Sequence, residues 1–129
     1  MQRRRLLVVE DDPIVLDAVA MMLSADGHEV HTAGTRAQAL SLLAQTTYDV
    51  IVSDLRVPEL DGPTFYRELK QRRPEALRRL IFMTGSTPAF SDFLEETGVP
   101  VLAKPFGAED LRRAIRQVLA QHASARHAG

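Results

Sequence analysis

Residues 6 to 13 read Leu-Leu-Val-Val-Glu-Asp-Asp-Pro. Four consecutive apolar residues without alternation are typical of a short strand that is buried on both faces, as in a parallel sheet covered by helices. Asp12 can cap a helix and Pro13 can open it, because proline is favoured in the first helical turn. This stretch therefore predicts a central strand that passes directly into a helix.

The same unit, a short apolar run followed by an amphipathic stretch, recurs along the chain. The predicted strands are Leu6–Val9, Glu29–Ala33, Asp49–Ser53, Leu80–Met83 and Val101–Ala103. Hydrophobic residues at helical spacing follow each strand. Five strands and five helices in strict alternation predict a doubly wound α/β domain. Its five-stranded parallel sheet should have the order 2-1-3-4-5, the flavodoxin-like arrangement.

The size and composition of the chain fit one domain. Its 129 residues are 45% hydrophobic and 26% charged, which is ordinary for a globular protein. We assign residues 1–121 to this domain. Residues 122–129 are small or polar, and we expect them to form a disordered tail.

Charge and cysteine content argue against several classes of function. Sixteen basic and seventeen acidic residues give a net charge of -1, so we expect neither direct nucleic-acid binding nor membrane insertion. The sequence has no cysteine, which excludes disulfides and thiolate chemistry. The apolar run Leu6–Val9 is too short for a signal peptide or a membrane span. We therefore expect a cytoplasmic protein.

Polar side chains stand where the predicted strands end. Glu10 and Asp11 follow the first strand, Asp54 the third, Thr84 the fourth and Lys104 the fifth. In the 2-1-3-4-5 order, ligands bind at the carboxyl edge between strands one and three, so the acidic pair should face Asp54. Three converging carboxylates repel one another unless a cation lies between them. Mg²⁺ prefers oxygen ligands of this kind, and the sequence therefore predicts a magnesium site.

Asp54 is also a candidate nucleophile. A carboxylate can attack phosphorus to give an aspartyl phosphate, provided that charge on the transferring oxygens is neutralised. Lys104 can pair with one phosphoryl oxygen, and the Thr84 hydroxyl can donate to another. Each of these residues alone would more often serve a turn, a helix cap or the solvated surface. Their common place at one edge of the sheet favours phosphoryl chemistry.

Four runs of sequence resemble the signature blocks of response-regulator receiver domains, in the same order. They are Leu-Leu-Val-Val-Glu-Asp-Asp-Pro, Asp-Val-Ile-Val-Ser-Asp-Leu-Arg-Val-Pro-Glu-Leu-Asp-Gly, Phe-Met-Thr-Gly and Lys-Pro-Phe. Carried over position by position, the resemblance implies Asp54 as the phosphoacceptor, Glu10 and Asp11 as the acidic pair for Mg²⁺, Thr84 as the switch hydroxyl and Lys104 as the phosphate-pairing lysine. The chain would then be a phosphoprotein switch in a two-component phosphorelay and not an enzyme. Its partner would be a histidine kinase or a histidine phosphotransfer protein.

The resemblance carries further expectations and two departures. It implies that the Arg56 backbone carbonyl binds the metal and that the Lys104–Pro105 peptide is cis. Receivers often have tyrosine or phenylalanine where this chain has Val101, and the stretch Gly85–Val99 is short for the family, which predicts a stunted fourth helix. Both departures resemble receivers at the C-terminus of hybrid histidine kinases. We also hypothesise that the Arg56 side chain sets the lifetime of the aspartyl phosphate.

Three other functions fit the sequence less well than a phosphoacceptor does. A phosphohydrolase of the haloacid dehalogenase type usually has a second Asp two residues after its nucleophile, where this chain has Arg56. A flavin site would need a Ser/Thr/Gly-rich phosphate loop after strand one, where three acids stand instead. A phosphorylation-independent interaction module would be favoured by replacement of Asp11, Asp54 or Lys104, and all three are present. Homodimerisation through the fourth and fifth strands stays open.

Asp61 and the four histidines are not expected to take part in the chemistry of the site. Asp61 should serve a turn and the start of a helix. The four histidines lack metal-ligand spacing and a nucleophile partner, so we expect them on the surface or in loops: His28, His31, His122 and His127.

Overall fold

The computed structural model describes residues 3–56 and 60–128, with side chains as far as Gln121. The strands are β1 Arg5–Val9, β2 Glu29–Ala33, β3 Val50–Asp54, β4 Leu80–Thr84 and β5 Val101–Ala103. The α-helices are α1 Pro13–Ala25, α2 Arg36–Gln45, α3 Gly62–Arg72, α4 Ser91–Thr97 and α5 Ala108–Ala128. Two 3₁₀ helices, Pro74–Arg79 and Pro88–Phe90, precede β4 and α4. Residues 57 to 59, which come between β3 and α3 in the chain, lie outside the described residues.

The strands form one parallel sheet in the order β2-β1-β3-β4-β5, which confirms the predicted doubly wound α/β fold. In the register of the sheet, Val9 of β1 lies opposite Ser53 of β3. Asp54 lies opposite Met83, and Thr84 lies opposite Ala103. The strands therefore end at nearly the same level, and the residues that follow them meet at one edge.

Apolar side chains alternate between two cores, one on each face of the sheet. Leu7 and Val9 of β1 belong to a core that includes buried residues of α2 and α3. Leu6 and Val8 belong to the other core, with buried residues of α1 and α5. All four side chains are at most 1% exposed, and each contributes roughly 1.5 to 3 kcal/mol of hydrophobic stabilisation relative to an exposed position. Burial on both faces explains why this strand has no polar alternation.

Short polar side chains begin three of the helices. The Asp12 side chain accepts from the backbone N–H of Ile14 at 2.9 Å, and Thr35 caps α2 in the same way. Asp61 caps α3, accepting from the N–H of Thr64 at 3.1 Å, and has a left-handed backbone with φ of 49°. The predicted structural role of Asp61 is confirmed, since its carboxylate satisfies a backbone donor that the helix itself leaves unpaired.

The structure also extends or corrects the sequence predictions. The fourth helix is stunted as predicted, because α4 has seven residues and a 3₁₀ turn precedes it. The Lys104–Pro105 peptide is cis, as expected. The backbone of α5 stays helical to Ala128, past the boundary at residue 121 where a disordered tail was predicted. His28 lies in a loop, one of the two placements expected for the histidines, and it is buried there with its Nδ1 accepting from the backbone N–H of Arg4 at 3.0 Å.

In the part of the chain that the structure describes, no helix combines the length and the apolar composition needed to cross a bilayer.

Candidate functional site

The carboxyl ends of β1 and β3 bring three acidic side chains together. Glu10 and Asp11 follow β1, and Asp54 is the last residue of β3. One carboxylate oxygen from each of the three lies within 4.8 Å of the others. Glu10 is 0% exposed and Asp54 is 1% exposed, whereas Asp11 is partly exposed. The three carboxylates that the sequence predicted to face one another therefore share one largely dehydrated crevice.

Lys104 and Thr84 lie in the same crevice. Lys104 Nζ is 2.6 Å from Glu10 Oε1 and 3.5 Å from Asp54 Oδ1. Its backbone N–H donates to the Thr84 carbonyl at 2.8 Å, which ties the chain after β5 to the end of β4. Thr84 Oγ1 is buried and accepts from the N–H of Ser86 at 3.1 Å, so its hydroxyl proton is available to donate elsewhere. A cavity of about 390 Å³ opens beside these residues.

The Arg56 side chain lies across the three carboxylates. Its Nη2 donates to Asp11 Oδ1 at 2.6 Å and lies 3.7 Å from Glu10 Oε2. Its Nε lies 3.5 Å from Asp54 Oδ2. The Arg56 side chain is 49% exposed, so it borders the acidic crevice on the side that faces solvent.

The two oxygens of Asp54 have different surroundings. Oδ1 accepts from the backbone N–H of Arg56 at 3.3 Å and faces Lys104. Oδ2 is buried, and among the described residues no donor makes a hydrogen bond to it. A buried carboxylate oxygen without a donor is costly unless a cation or another ligand satisfies it. Together with Glu10 and Asp11, it makes an all-oxygen donor set of the kind that suits Mg²⁺.

Burial and neighbouring charges shift the pKa of two of these carboxyl groups in opposite directions. Desolvation raises the pKa of Glu10 above its ordinary value of 4.5, the hydrogen bond from Lys104 opposes this, and the charge of Asp54 reinforces it. For Asp11 desolvation also acts upward, but the hydrogen bond and charge of Arg56 outweigh it and hold the pKa below 3.8. The pKa of Asp11 therefore lies below its usual value beside Arg56, whereas burial keeps the pKa of Glu10 above its usual value despite the hydrogen bond from Lys104.

Comparison with known proteins identifies the family. The family model described as the response regulator receiver domain matches residues 6–116. The chain belongs to this family. A solved receiver domain from Clostridium thermocellum has the same fold, with a TM-score of 0.82 and 26% identity over 94% of this chain and 98% of that one.

Two curated relatives place similar receiver domains in larger proteins. The transcriptional regulatory protein GlrR of Escherichia coli is 32% identical over 120 residues, which are 93% of this chain and 27% of GlrR. The sensor kinase CckA of Brucella abortus is 32% identical over 117 residues, 88% of this chain and 12% of CckA. This chain therefore spans only about a quarter of the first protein and about an eighth of the second. It is a receiver domain of two-component signalling.

Two further positions singled out in the sequence are the Arg56 backbone carbonyl and Val101. The Arg56 carbonyl accepts from the backbone N–H groups of Leu60 and Asp61, at 3.1 and 2.9 Å. It would have to share or give up one of these hydrogen bonds to bind a cation, so its role as a ligand stays a prediction. Val101, at the position where many receivers have an aromatic ring, is 37% exposed on the edge strand β5.

Sequence reasoning did not predict the position of the Arg56 guanidinium. It placed the side chain beside the phosphoryl site, but not in contact with all three carboxylates. A signal was present, since Arg56 is the only cation within two positions of Asp54 in the sequence. An arginine so close to converging acids is expected to pair with them.

Proposed function

We propose that this receiver domain accepts a phosphoryl group on Asp54 with Mg²⁺ as its cofactor. The observation that carries the proposal is the environment of Asp54. Its side chain is 1% exposed, its Oδ2 accepts no hydrogen bond from the described residues, and Lys104 Nζ lies 3.5 Å from Oδ1. A carboxylate with an open lone pair on one oxygen and an ammonium group beside the other is suited to attack an electrophilic phosphorus.

The transfer forms a bond between an Asp54 oxygen and phosphorus, while the bond from phosphorus to the donor breaks and the donor keeps its electron pair. Lys104 would move from Glu10 towards a phosphoryl oxygen, because both are acceptors within reach of the same mobile ammonium group. Thr84 would donate its hydroxyl to a second phosphoryl oxygen. Both residues stabilise charge on the transferred group and neither forms a covalent bond.

Glu10, Asp11 and Asp54 are the residues that would hold the metal, with the Arg56 carbonyl as a further ligand. When bound, Mg²⁺ would neutralise negative charge on the phosphoryl oxygens and on the carboxylates themselves. The fit rests on the all-oxygen donor set and on the buried Asp54 oxygen without a hydrogen bond. Two cationic side chains, Lys104 and Arg56, face these three carboxyl groups, so the crevice lacks one positive charge when all three are ionised.

Phosphorylation would change partner contacts through small packing changes near β4 and β5. Thr84 ends β4 and its backbone is bonded to Lys104 after β5, so a shift of its hydroxyl towards phosphate reaches the edge strand directly. Val101 on that strand is small and partly exposed. The readout would therefore not use the inward movement of an aromatic ring.

The phosphoryl donor would be a histidine kinase or a histidine phosphotransfer protein. The relatives show two kinds of protein in which such a domain occurs, because GlrR is described as a transcriptional regulatory protein and CckA as a sensor kinase. In the second context this domain would be the receiver of a hybrid kinase. In either context the receiver and its phosphoryl donor must meet in one compartment, which we propose is the cytoplasm.

The test is incubation with acetyl phosphate, with and without Mg²⁺, followed by intact-mass measurement. We expect one phosphoryl adduct on the wild type that requires Mg²⁺ and is lost in Asp54→Ala. Asp92→Ala is the matched control, because Asp92 is an exposed carboxylate on α4 and is not one of the three acids that converge in the crevice. If no adduct forms even with a cognate kinase, or if Asp54→Ala is still modified, Asp54 is not the phosphoacceptor and an interaction module becomes the better interpretation.

A further inference from the structure

Arg56 supplies a second positive charge to the acidic crevice. Glu10, Asp11 and Asp54 carry three negative charges when all are ionised, and Lys104 offsets one of them. Arg56 touches all three acids, at 2.6 Å from Asp11, 3.5 Å from Asp54 and 3.7 Å from Glu10. The crevice thus already has an internal cation at the place where its carboxylates converge.

We propose that the Arg56 guanidinium competes with Mg²⁺ for this crevice and so sets the Mg²⁺ concentration at which the domain becomes ready for phosphorylation. The inference rests on the proposed function, because it concerns the same metal site. The reason is geometric. The guanidinium contacts three carboxylates, and a divalent ion bound by the same carboxylates would lie within a few ångströms of it. Their repulsion in a partly dehydrated crevice is strong.

The Arg56 side chain is placed so that Mg²⁺ could displace its guanidinium from the carboxylates. The Arg56 side chain is 49% exposed, so about half of it already faces solvent and its guanidinium can move outward from the carboxylates. Asp11 Oδ1 holds it most closely, and Asp11 is only partly buried. Asp54 Oδ2 faces Arg56 at 3.5 Å without a hydrogen bond, so its lone pairs stay available to an incoming metal.

Mg²⁺ binding would therefore include the loss of the Arg56–Asp11 hydrogen bond. A charge-assisted hydrogen bond at a partly exposed site corresponds to about a tenfold change in an equilibrium constant. Removal of the arginine charge should tighten Mg²⁺ binding by about this factor. This direction is opposite to that of a general loss of structure, which would weaken binding.

The experiment is titration of the whole chain with MgCl₂ alone, followed by calorimetry and by ¹H–¹⁵N NMR spectra. Arg56→Gln removes the charge and keeps a polar side chain of similar length. Arg113→Gln is the matched control, because Arg113 is an exposed arginine on α5 that pairs with Asp110 at 3.7 Å. Arg56→Lys keeps the charge but lacks the forked donor, so its affinity should lie between those of the wild type and Arg56→Gln.

The inference is supported if Arg56→Gln binds Mg²⁺ about tenfold tighter than the wild type, Arg113→Gln is unchanged, and the Arg56 Nε–H signal of the wild type shifts during the titration. It is overturned if the wild type and Arg56→Gln bind Mg²⁺ with equal affinity, or if Arg56→Gln binds more weakly while its spectrum remains that of a folded domain. Absence of Mg²⁺ binding in every variant would instead refute the metal site itself, and the inference with it. Phosphorylation of Asp54 is measured separately, so the two failures are distinguishable.

Discussion

Lys104 Nζ lies 2.6 Å from Glu10 Oε1, although the two residues are 94 positions apart in the chain. Parallel pairing of β1 with β3, β3 with β4 and β4 with β5 aligns the strand ends and brings the two side chains to one edge. Glu10 is fully buried, and Asp54 lies nearby. The ion pair therefore gives the buried Glu10 carboxylate a positively charged partner at hydrogen-bonding distance, which it would otherwise lack in its position beside Asp54.

Substitution of this lysine should destabilise the fold as well as impair phosphorylation. In Lys104→Ala, Glu10 keeps its place in the crevice without its closest donor, and we expect the free energy of unfolding to fall by about 1 to 3 kcal/mol. Urea unfolding at neutral pH measures this. Lys70→Ala is the control, since Lys70 is exposed on α3 and should change stability by less than about 0.5 kcal/mol.

A double-mutant cycle separates the ion pair from the loss of the lysine chain itself. Glu10→Gln should recover part of the stability when it is combined with Lys104→Ala, because a neutral amide costs less to bury than an unpaired carboxylate. Strictly additive effects of the two substitutions would show that the contact at 2.6 Å has no energetic consequence.

Gly62→Ala should disturb the loop that follows Asp54. A Cβ atom on Gly62 would lie 2.4 Å from Leu55 Cδ2 and 3.0 Å from Leu55 Cα, so the backbone next to the phosphoacceptor position would have to move. We expect about 1 to 3 kcal/mol of destabilisation and slower phosphorylation by acetyl phosphate. Gly85→Ala is the stability control, because its Cβ would meet no atom within 4 Å. Equal unfolding midpoints for the two variants would contradict the close approach of Gly62 to Leu55.

The sheet and the acidic crevice could be predicted from the sequence because they depend on local patterns. A run of four apolar residues such as the one before Glu10 is typical of a central strand in a parallel sheet covered by helices. The order of the strands then determines which residues lie at the same edge of the sheet. Strand bounds were less certain. Asp49 was predicted to open β3, but its side chain accepts from the N–H of Arg5 at 2.8 Å, and the strand begins at Val50.

Features that depend on distant contacts could not be predicted in the same way. His28 lies in a loop, as the sequence allowed, but its burial and its hydrogen bond with Arg4, 24 positions away, arise from packing between distant segments. The 3₁₀ helix Pro74–Arg79 is too short to show a periodic pattern in the sequence. The reach of the Arg56 guanidinium depends on side-chain torsions that no sequence pattern specifies.

Acidification should destabilise the protein through His28. Desolvation lowers the pKa of His28 below its ordinary value of 6.5, and the charge of Asp26 opposes this only in part. A group whose pKa is lower in the folded state stabilises the fold fully above its unfolded pKa, and this contribution is lost as the pH falls through the folded pKa. Protonation would also remove the lone pair on Nδ1 that accepts from Arg4.

Urea unfolding at about pH 7.5 and about pH 5 tests this on the wild type and on His28→Asn. Asparagine keeps an acceptor in a similar position and does not titrate in this range. We expect the free energy of unfolding to fall more steeply with acidification in the wild type than in the variant. Parallel pH dependence in the two proteins would mean that His28 is not the titrating group.

Arg56→Ala should shorten the lifetime of the aspartyl phosphate. Arg56 Nε lies 3.5 Å from Asp54, whose side chain is 1% exposed. Once Mg²⁺ has displaced the guanidinium from Asp11, it can still pair with an oxygen of the phosphoryl group on Asp54, so its removal opens a path for water to the acyl phosphate. The phosphorylated domain is prepared with acetyl phosphate, separated from the donor, and followed by intact mass at saturating Mg²⁺, so that altered metal affinity does not contribute. We expect hydrolysis to be several-fold faster than in the wild type, with Arg113→Ala unchanged. If Arg56→Ala hydrolyses at the wild-type rate, Arg56 does not shield the phosphoryl group, and any role that it has is confined to metal binding.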